Sequence, residues 1–307
     1  MRCLFCKEES SSTKGVEHVI PESIGSKKHV LPKGLVCDKC NNYFARKVEA
    51  PVLSHESIRN VRAWYQVPNK KGKMPTVKGY IAGTDIKVNM KKAQNGKIVI
   101  SAEKSKEQAK VDRYLASMGL GEEFPPFLFP ISIDPPQKEM SRFLAMMGLE
   151  AIALRFSYGG MHEKIIDEEH FDLIRSFARY GQGVDHWPYH SRTIFPMDTE
   201  MLHPETGEWV QAGFGHDLLV TRLPETYFVF LLYGVEFAIN LGGPSIKGFE
   251  NWLVENNNIS PFVERGGSKL VKVKVNGVEK HRLIGTFDMR DTADFDQKKY
   301  YAARENA

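Results

Sequence analysis

The chain has no cysteine after position 40. Cys3, Cys6, Cys37 and Cys40 stand in its first forty residues, and the remaining 267 of 307 contain none. Four cysteines could pair as disulfides only in an oxidising compartment. No apolar run approaches the roughly 18–20 residues of a membrane span, so there is no sign of a helical membrane protein. The N-terminus, Met1-Arg2-Cys3-Leu4-Phe5-Cys6, meets charge at once in Lys7-Glu8-Glu9 and lacks the apolar core of a signal peptide. The expected location is the cytoplasm. Repeats and low-complexity tracts are also absent. The glycine-rich stretch Leu241–Gly248 lacks the Gly-Lys-Ser/Thr ending of a phosphate loop and contains Pro244, so it reads as a turn.

What is present is ordinary for a globular chain, with 42% hydrophobic and 26% charged residues. The length suffices for two domains. Charge is distributed unevenly. Residues 1–73 carry 14 Lys and Arg against 7 Asp and Glu, whereas residues 74–307 carry 28 against 31. A basic segment attracts polyanions and speeds their encounter. A solvated lysine-rich surface gives the same count, and charge alone does not separate DNA from RNA or a membrane. The acidic balance of residues 74–307 favours protein contact or sensing.

The cysteines form two Cys-x-x-Cys pairs with thirty residues between Cys6 and Cys37. Two such knuckles are the usual source of four thiolates for one tetrahedral zinc. Unrelated or redox-active cysteines are the alternative. A closed four-thiolate site offers substrate no open position, so this zinc would hold structure rather than catalyse. Between the pairs lies Val16-Glu17-His18-Val19-Ile20-Pro21, and Asn41-Asn42 follows the second pair. Phosphodiester hydrolysis needs a base for water, a divalent cation at the leaving oxygen and basic groups on the backbone. Glu17 and the side-chain carbonyl of Asn41 are oxygen donors for a hard cation. His18 is suited to act as the base, because histidine titrates at about 6.5. Asn41 is adjacent to Cys40, so zinc would fix it against the strand carrying Glu17 and His18.

These residues, from Cys3-Leu4-Phe5-Cys6 through Glu17-His18-Val19-Ile20-Pro21-Glu22-Ser23-Ile24-Gly25 to Cys37-Asp38-Lys39-Cys40-Asn41-Asn42-Tyr43-Phe44, resemble the HNH or ββα-metal endonucleases. The zinc-containing branch, with its junction-resolving phage enzymes, is the nearest in pattern. The resemblance covers about residues 3–50. It implies a β-hairpin around residues 16–36 and a helix from about Asn41 to Glu49. It also implies His18 as general base, Glu17 and Asn41 as ligands of one magnesium or manganese ion, and products with 5′-phosphate and 3′-hydroxyl ends. Glutamate at position 17 departs from the family's commoner aspartate. The family's middle asparagine has no clear counterpart near Pro32-Lys33-Gly34; backbone carbonyls or His29 are the substitutes at hand. Candidates for phosphate contact are Lys27, Lys28, Lys33, Arg46 and Lys47, each of which also reads as plain surface charge.

Beyond residue 50, Arg59, Arg62 and Lys70-Lys71-Gly72-Lys73 mark residues 54–73 as a basic surface segment. Residues 76–101 read as strands turning at Asn95-Gly96, and 102–113 as a charged helix or connection. Pro125-Pro126 and Pro135-Pro136 break regular structure. Met140, Phe143, Leu144, Met147, Ile152 and Leu154 predict a helix at 137–156, with the methionines as core filler. A second helix is expected at 167–180. Leu218–Val220 and Tyr227–Tyr233 suit buried strands, and 268–275 leads into a hairpin at Asn276-Gly277. His186-Trp187-Pro188-Tyr189-His190 reads as a loop with packed aromatics, and His216-Asp217 as structural. Trp187, Trp209 and Trp252 are expected as core or loop anchors.

The expected fold is α+β: an N-terminal zinc-stapled ββα-metal module in residues 1–73, then a larger mixed α+β domain in residues 74–307. The expected function is metal-dependent endonucleolytic cleavage of DNA, with double-stranded DNA as the expected partner, in restriction or anti-phage defence. Two alternatives stand beside it: a non-catalytic zinc-dependent nucleic-acid-binding module, and a nuclease subunit activated by a partner. Homodimerisation or partner binding would fall to residues 74–307.

Overall fold

Residues 1–36 form little regular structure of their own, although Leu4, Phe5, Val19, Ile20, Leu31 and Leu35 are buried. In the computed structural model, which describes residues 1–69, 71–92, 98–118, 127–129, 132–157, 161–203, 206–222, 225–264 and 269–284, they are held by single backbone bonds. The Cys3 amide donates to Glu8 O (2.9 Å), and the Leu4 amide to Leu35 O (2.8 Å). His18 bridges Val30 in antiparallel fashion. Around that bridge the Leu31 amide donates to Glu17 O (2.9 Å) and the Val19 amide to His29 O (3.1 Å). The expected hairpin is thus a minimal ladder.

Helix α1 spans Asp38–Phe44 and begins three residues before the expected Asn41. The reason is its cap: the Cys37 sulfur accepts from the Cys40 amide (3.4 Å). A thiol fills the place usually taken by a serine or aspartate oxygen. One π-helical turn, Ala45–Glu49, leads into α2, Ala50–Ser54, whose Pro51 sits in the first turn, where no amide donor is needed.

The chain groups into two compact units that do not follow a cut at residue 73. One comprises Met1–Ile20, Lys27–Val48 and the chain from Gln137 onward; the other comprises Pro21–Ser26 and Glu49–Pro136.

In the second unit, residues expected as a basic surface segment form helix α3, Glu56–Trp64, with Ile58, Asn60, Val61, Arg62 and Ala63 buried. The apolar positions 58 and 61 are one turn apart, so the helix has an inner face despite its charges. Strands β1 (Val77–Ile81), β2 (Lys87–Lys92) and β3 (Ile98–Ala102) are followed by helix α4 (Gln108–Ser117) and β4 (Phe127–Leu128). They make an antiparallel sheet of order β3-β2-β1-β4. Ile81, Ile86, Val88, Ala102 and Val111 form a small core beneath it. Lys70, Asn95-Gly96 and Pro125-Pro126 lie outside the described residues.

The first unit continues with α5, Gln137–Ser157, buried on all sides from Met140 to Leu154 except for few positions. A helix apolar all round belongs in the centre of a core. Met140, Met146 and Met147 are fully buried there, as filler. Helices α6 (His162–Asp167) and α7 (Asp172–Tyr180) follow, then strands β5 (Tyr189–Thr193), β6 (Glu200–Leu202), β7 (Trp209–Gln211), β8 (Phe214–Val220), β9 (Thr226–Leu232) and β10 (Val235–Asn240). Helices α8 (Lys247–Glu255) and α9 (Pro261–Glu264) precede β11 (Lys269–Val275) and β12 (Val278–Ile284). Two sheets result, β5-β10-β9-β8 and β11-β12-β6-β7. Asn276 and Gly277, with φ of 50° and 80°, make the expected turn between β11 and β12. Trp187 is fully buried and donates to Asn240 O (2.9 Å), but Tyr189 and His190 belong to β5, so the expected aromatic loop is half strand. Among the described residues no helix is long and apolar enough to cross a membrane. The whole is mixed α+β, with a cysteine cluster at its N-terminus.

Candidate functional site

The four cysteine sulfurs converge from two chain segments and lie within 4.8 Å of one another. Cys6 and Cys37 sulfurs are 3.7 Å apart, far beyond a disulfide bond, and all four cysteines are free. A tetrahedral zinc with Zn–S near 2.3 Å spaces its sulfurs about 3.8 Å apart, so the cluster fits that ion. Backbone amides reinforce it: the Cys37 amide donates to the Cys3 sulfur at 3.3 Å.

Electrostatics within the cluster argue the same way. Hydrogen bonding from the Cys40 thiol pulls the Cys3 thiol down to about 4, against the opposing effect of burial. Burial pushes Cys6 up to about 11, and the bond to Cys3 pushes Cys40 far above its ordinary value. Four thiolates packed this closely would require a cation among them.

Arginines from α7 stand behind the cluster. Arg179 Nε donates to the Cys40 sulfur at 3.3 Å, and its guanidinium lies over the Tyr43 ring at 4.1 Å. Burial opposes its charge, but the bond and attraction to Cys40 outweigh this and raise its pKa. Arg175, one turn earlier, is also buried and donates to Ile165 O at 2.9 Å. Arg2 pairs with Glu163 (2.7 Å) and Asp167 (2.8 Å), and Lys7 with Asp172 (2.7 Å). The sequence reading missed Arg175 and Arg179. Their spacing of four within the helix at 172–180 was the available signal.

The predicted Glu17, His18 and Asn41 sit next to this cluster in the chain. Glu17 is buried and His18 half-buried on the bridged ladder. Asn41, on α1, donates through Nδ2 to Val16 O at 3.3 Å, the carbonyl just before Glu17. That leaves its Oδ1 as the free end of the amide, an oxygen donor suited, with a carboxylate, to a hard divalent cation. A second link joins the same two segments: Asp38 Oδ2 and Oδ1 accept from the amides of Lys14 (3.0 Å) and Gly15 (2.8 Å). These bonds hold the Asp38 carboxyl below its usual range. A Cβ at position 15 would stand 2.8 Å from Asp38 Oδ1, so a larger residue there displaces either that carboxylate or the strand.

His29 takes a left-handed conformation (φ 57°), and its ring packs edge-on against His216 at 4.7 Å. His216 in turn lies 5.8 Å from Phe228, so it does pack as a structural residue. Lys27, Lys28, Lys33, Arg46 and Lys47 are all exposed. Arg46 donates to Asn42 O (3.1 Å) on the surface of the helical stretch.

The chain matches no curated protein and no solved structure. Its N-terminal segment, residues 3–57, which holds the four cysteines, Glu17, His18 and Asn41, matches the family described as HNH endonuclease.

Proposed function

We propose that this protein is a metal-dependent endonuclease that hydrolyses phosphodiester bonds of double-stranded DNA, with His18 as general base. The observation carrying this reading is the bond from Asn41 to the carbonyl of Val16, which ties the helix after the cysteine cluster to the backbone leading into Glu17 and His18. The family match to residues 3–57 supports a nuclease-type function, and the basic balance of residues 1–73 suits a polyanion.

A neutral His18 imidazole accepts the proton of a water molecule as that water attacks phosphorus. Glu17 and Asn41 would hold a magnesium or manganese ion, which when bound neutralises charge developing on the phosphate and leaving oxygen. The zinc cluster fixes α1, and α1 fixes Asn41 against the ladder. The exposed lysines and Arg46 hold backbone phosphates. Each chain carries one such centre, so a double-strand break takes a homodimer or two successive nicks. Restriction or anti-phage defence is a setting that uses this activity.

A supercoiled-plasmid assay tests the reading. Wild-type protein with magnesium or manganese yields nicked, then linear, product. His18→Ala lowers the rate by about 10²–10⁴-fold while plasmid retention in a gel shift persists. Equal cutting by both proteins would sink the His18 assignment. Retained binding without cutting by the wild type would make the protein a binding module.

A further inference from the structure

The second unit contains a cavity of about 230 Å³ that plays no part in the site described above. Its floor is Ala63, Val77 and Met90, which pack together, with Ile100 and Phe129 against them. Its remaining walls are Trp64, Gln66, Met74 and Pro75. Trp64 ends α3, and the chain then turns sharply, with Gln66 left-handed (φ 56°) and its amide bonded to Ala63 O (3.2 Å). That turn sets the Gln66 side chain in the wall as its one amide group. The Trp64 indole is 49% exposed and leans on Phe129 at 5.3 Å, so one part of a large apolar ring is braced while another faces solvent. A ring, two thioethers and one amide make a slot for a flat heteroaromatic group with hydrogen-bonding edges.

The charge around the cavity narrows the ligand. Met74 and Pro75 directly follow a turn built by Asn69, whose Oδ1 accepts from the amides of Lys71 and Lys73, each at 3.0 Å. Both lysines are exposed. Of the other nearby cations, Arg62 is buried, Arg59 pairs with Glu56 (3.8 Å) and Lys78 with Glu103 (3.0 Å), so Lys71 and Lys73 supply the exposed positive charge. An aliphatic protein side chain would use the cavity and leave the lysines idle. A nucleobase on its sugar-phosphate chain uses both, since bases stack on aromatic rings while the backbone follows positive charge.

We infer that this cavity binds an unpaired nucleobase of DNA, stacked on Trp64 and contacted by Gln66, with flanking phosphates at Lys71 and Lys73. The inference rests on the nucleic-acid substrate proposed above and adds a preference: strands that are single or locally unpaired bind better than perfect duplex.

The test is fluorescence anisotropy on the full chain, without added divalent metal. The probes are a short labelled DNA strand of mixed sequence and the same strand annealed to its complement. Trp64→Ala weakens single-strand binding about tenfold and changes duplex binding less than about twofold, while Trp64→Phe restores most of the loss. The double variant Lys71→Ala/Lys73→Ala weakens both probes and lowers the salt slope by about 1.5. Independently of any variant, a strand carrying 5-iodouracil, irradiated on the wild-type protein, cross-links to the peptide containing Trp64.

Wild-type single-strand affinity in Trp64→Ala, or cross-links that avoid the cavity, would overturn the inference and leave the cavity to a protein side chain. The nuclease reading fails separately. Trp64-dependent binding by a protein that cuts no plasmid would keep the pocket and discard the nuclease, and plasmid cutting with no dependence on Trp64 would do the reverse.

Discussion

At the scale of single residues, the arginines of α7 explain more than the sequence disclosed. Four thiolates around a divalent ion leave two negative charges in a partly buried place. Arg179 donates to one of those sulfurs at 3.3 Å and is itself buried against Tyr43. Removing its charge leaves the sulfurs more basic and less shielded. Groups that bond to metal ligands typically change affinity by about 10–100-fold when lost. Arg179→Met, which keeps the length and apolar body of the side chain, is therefore expected to weaken zinc about tenfold or more in a competitive chelator titration. The fold by circular dichroism should stay as wild type. Unchanged zinc affinity would reduce Arg179 to a packing residue. The sequence offered the spacing of Arg175 and Arg179 but not their partner, because 139 positions separate Arg179 from Cys40. The cysteines themselves were legible, since residue type and spacing define a zinc knuckle within a few positions.

At the scale of elements, two short pieces are held in register by few bonds. The ladder around His18 has one bridge, flanked by the Leu31–Glu17 and Val19–His29 backbone bonds. Its position relative to α1 depends on Asp38 gripping the amides of Lys14 and Gly15 and on Asn41 reaching Val16. Gly15→Ala places a methyl group 2.8 Å from Asp38 Oδ1 and 3.5 Å from Asn41 Nδ2. Either the Asp38 carboxylate swings away and releases the Lys14 and Gly15 amides, or the strand moves by a fraction of an ångström to an ångström, and displacements of that size cost up to about a hundredfold in rate. Plasmid cutting should fall at least about tenfold in this variant, while zinc content by mass spectrometry stays at wild type. Cutting at the wild-type rate would show that this contact does not position Glu17 and His18. The long helix at 137–157 and the hairpin at 276–277 were legible because their signals are local, an apolar period and an Asn-Gly pair. The start of α1 was not, because a thiol caps it. Nor was α3, whose lysine-rich flank disguised a buried face, and its exposed end hid Trp64, the tryptophan that lines a cavity.

At the scale of the molecule, the question is what keeps residues 1–48 folded. Residues 1–20 and 27–48 belong to the same compact unit as the chain from Gln137 onward, tied to it by ion pairs, the Arg179–Cys40 bond and the His29–His216 contact. The ion pairs of Arg2 and Lys7 to Glu163, Asp167 and Asp172 are about 36–63% exposed, and water and salt screen such pairs. Zinc held by four thiolates contributes on the order of 10–16 kcal/mol to the folding of a small site. A metal in the cysteine cluster would therefore outweigh these ion pairs and act beside the buried Leu4, Val19, Ile20, Leu35 and Phe44. The remainder has an independent core, with Phe195, Tyr227, Val229, Leu231 and Phe249 buried together around β9 and α8. Stripping zinc with a strong chelator should melt the N-terminal segment and spare the rest. Trypsin would then cut at Lys14, Lys27, Lys28 and Lys33, leaving a resistant fragment that carries α5 and β8 to β10. Cutting of plasmid should vanish with zinc, return when zinc and magnesium are both restored, and stay absent with magnesium alone. Protection of those lysines in chelator would mean that side-chain packing, not the metal, holds the module. Recovery with magnesium alone would mean that the cysteine cluster has no part in forming the site.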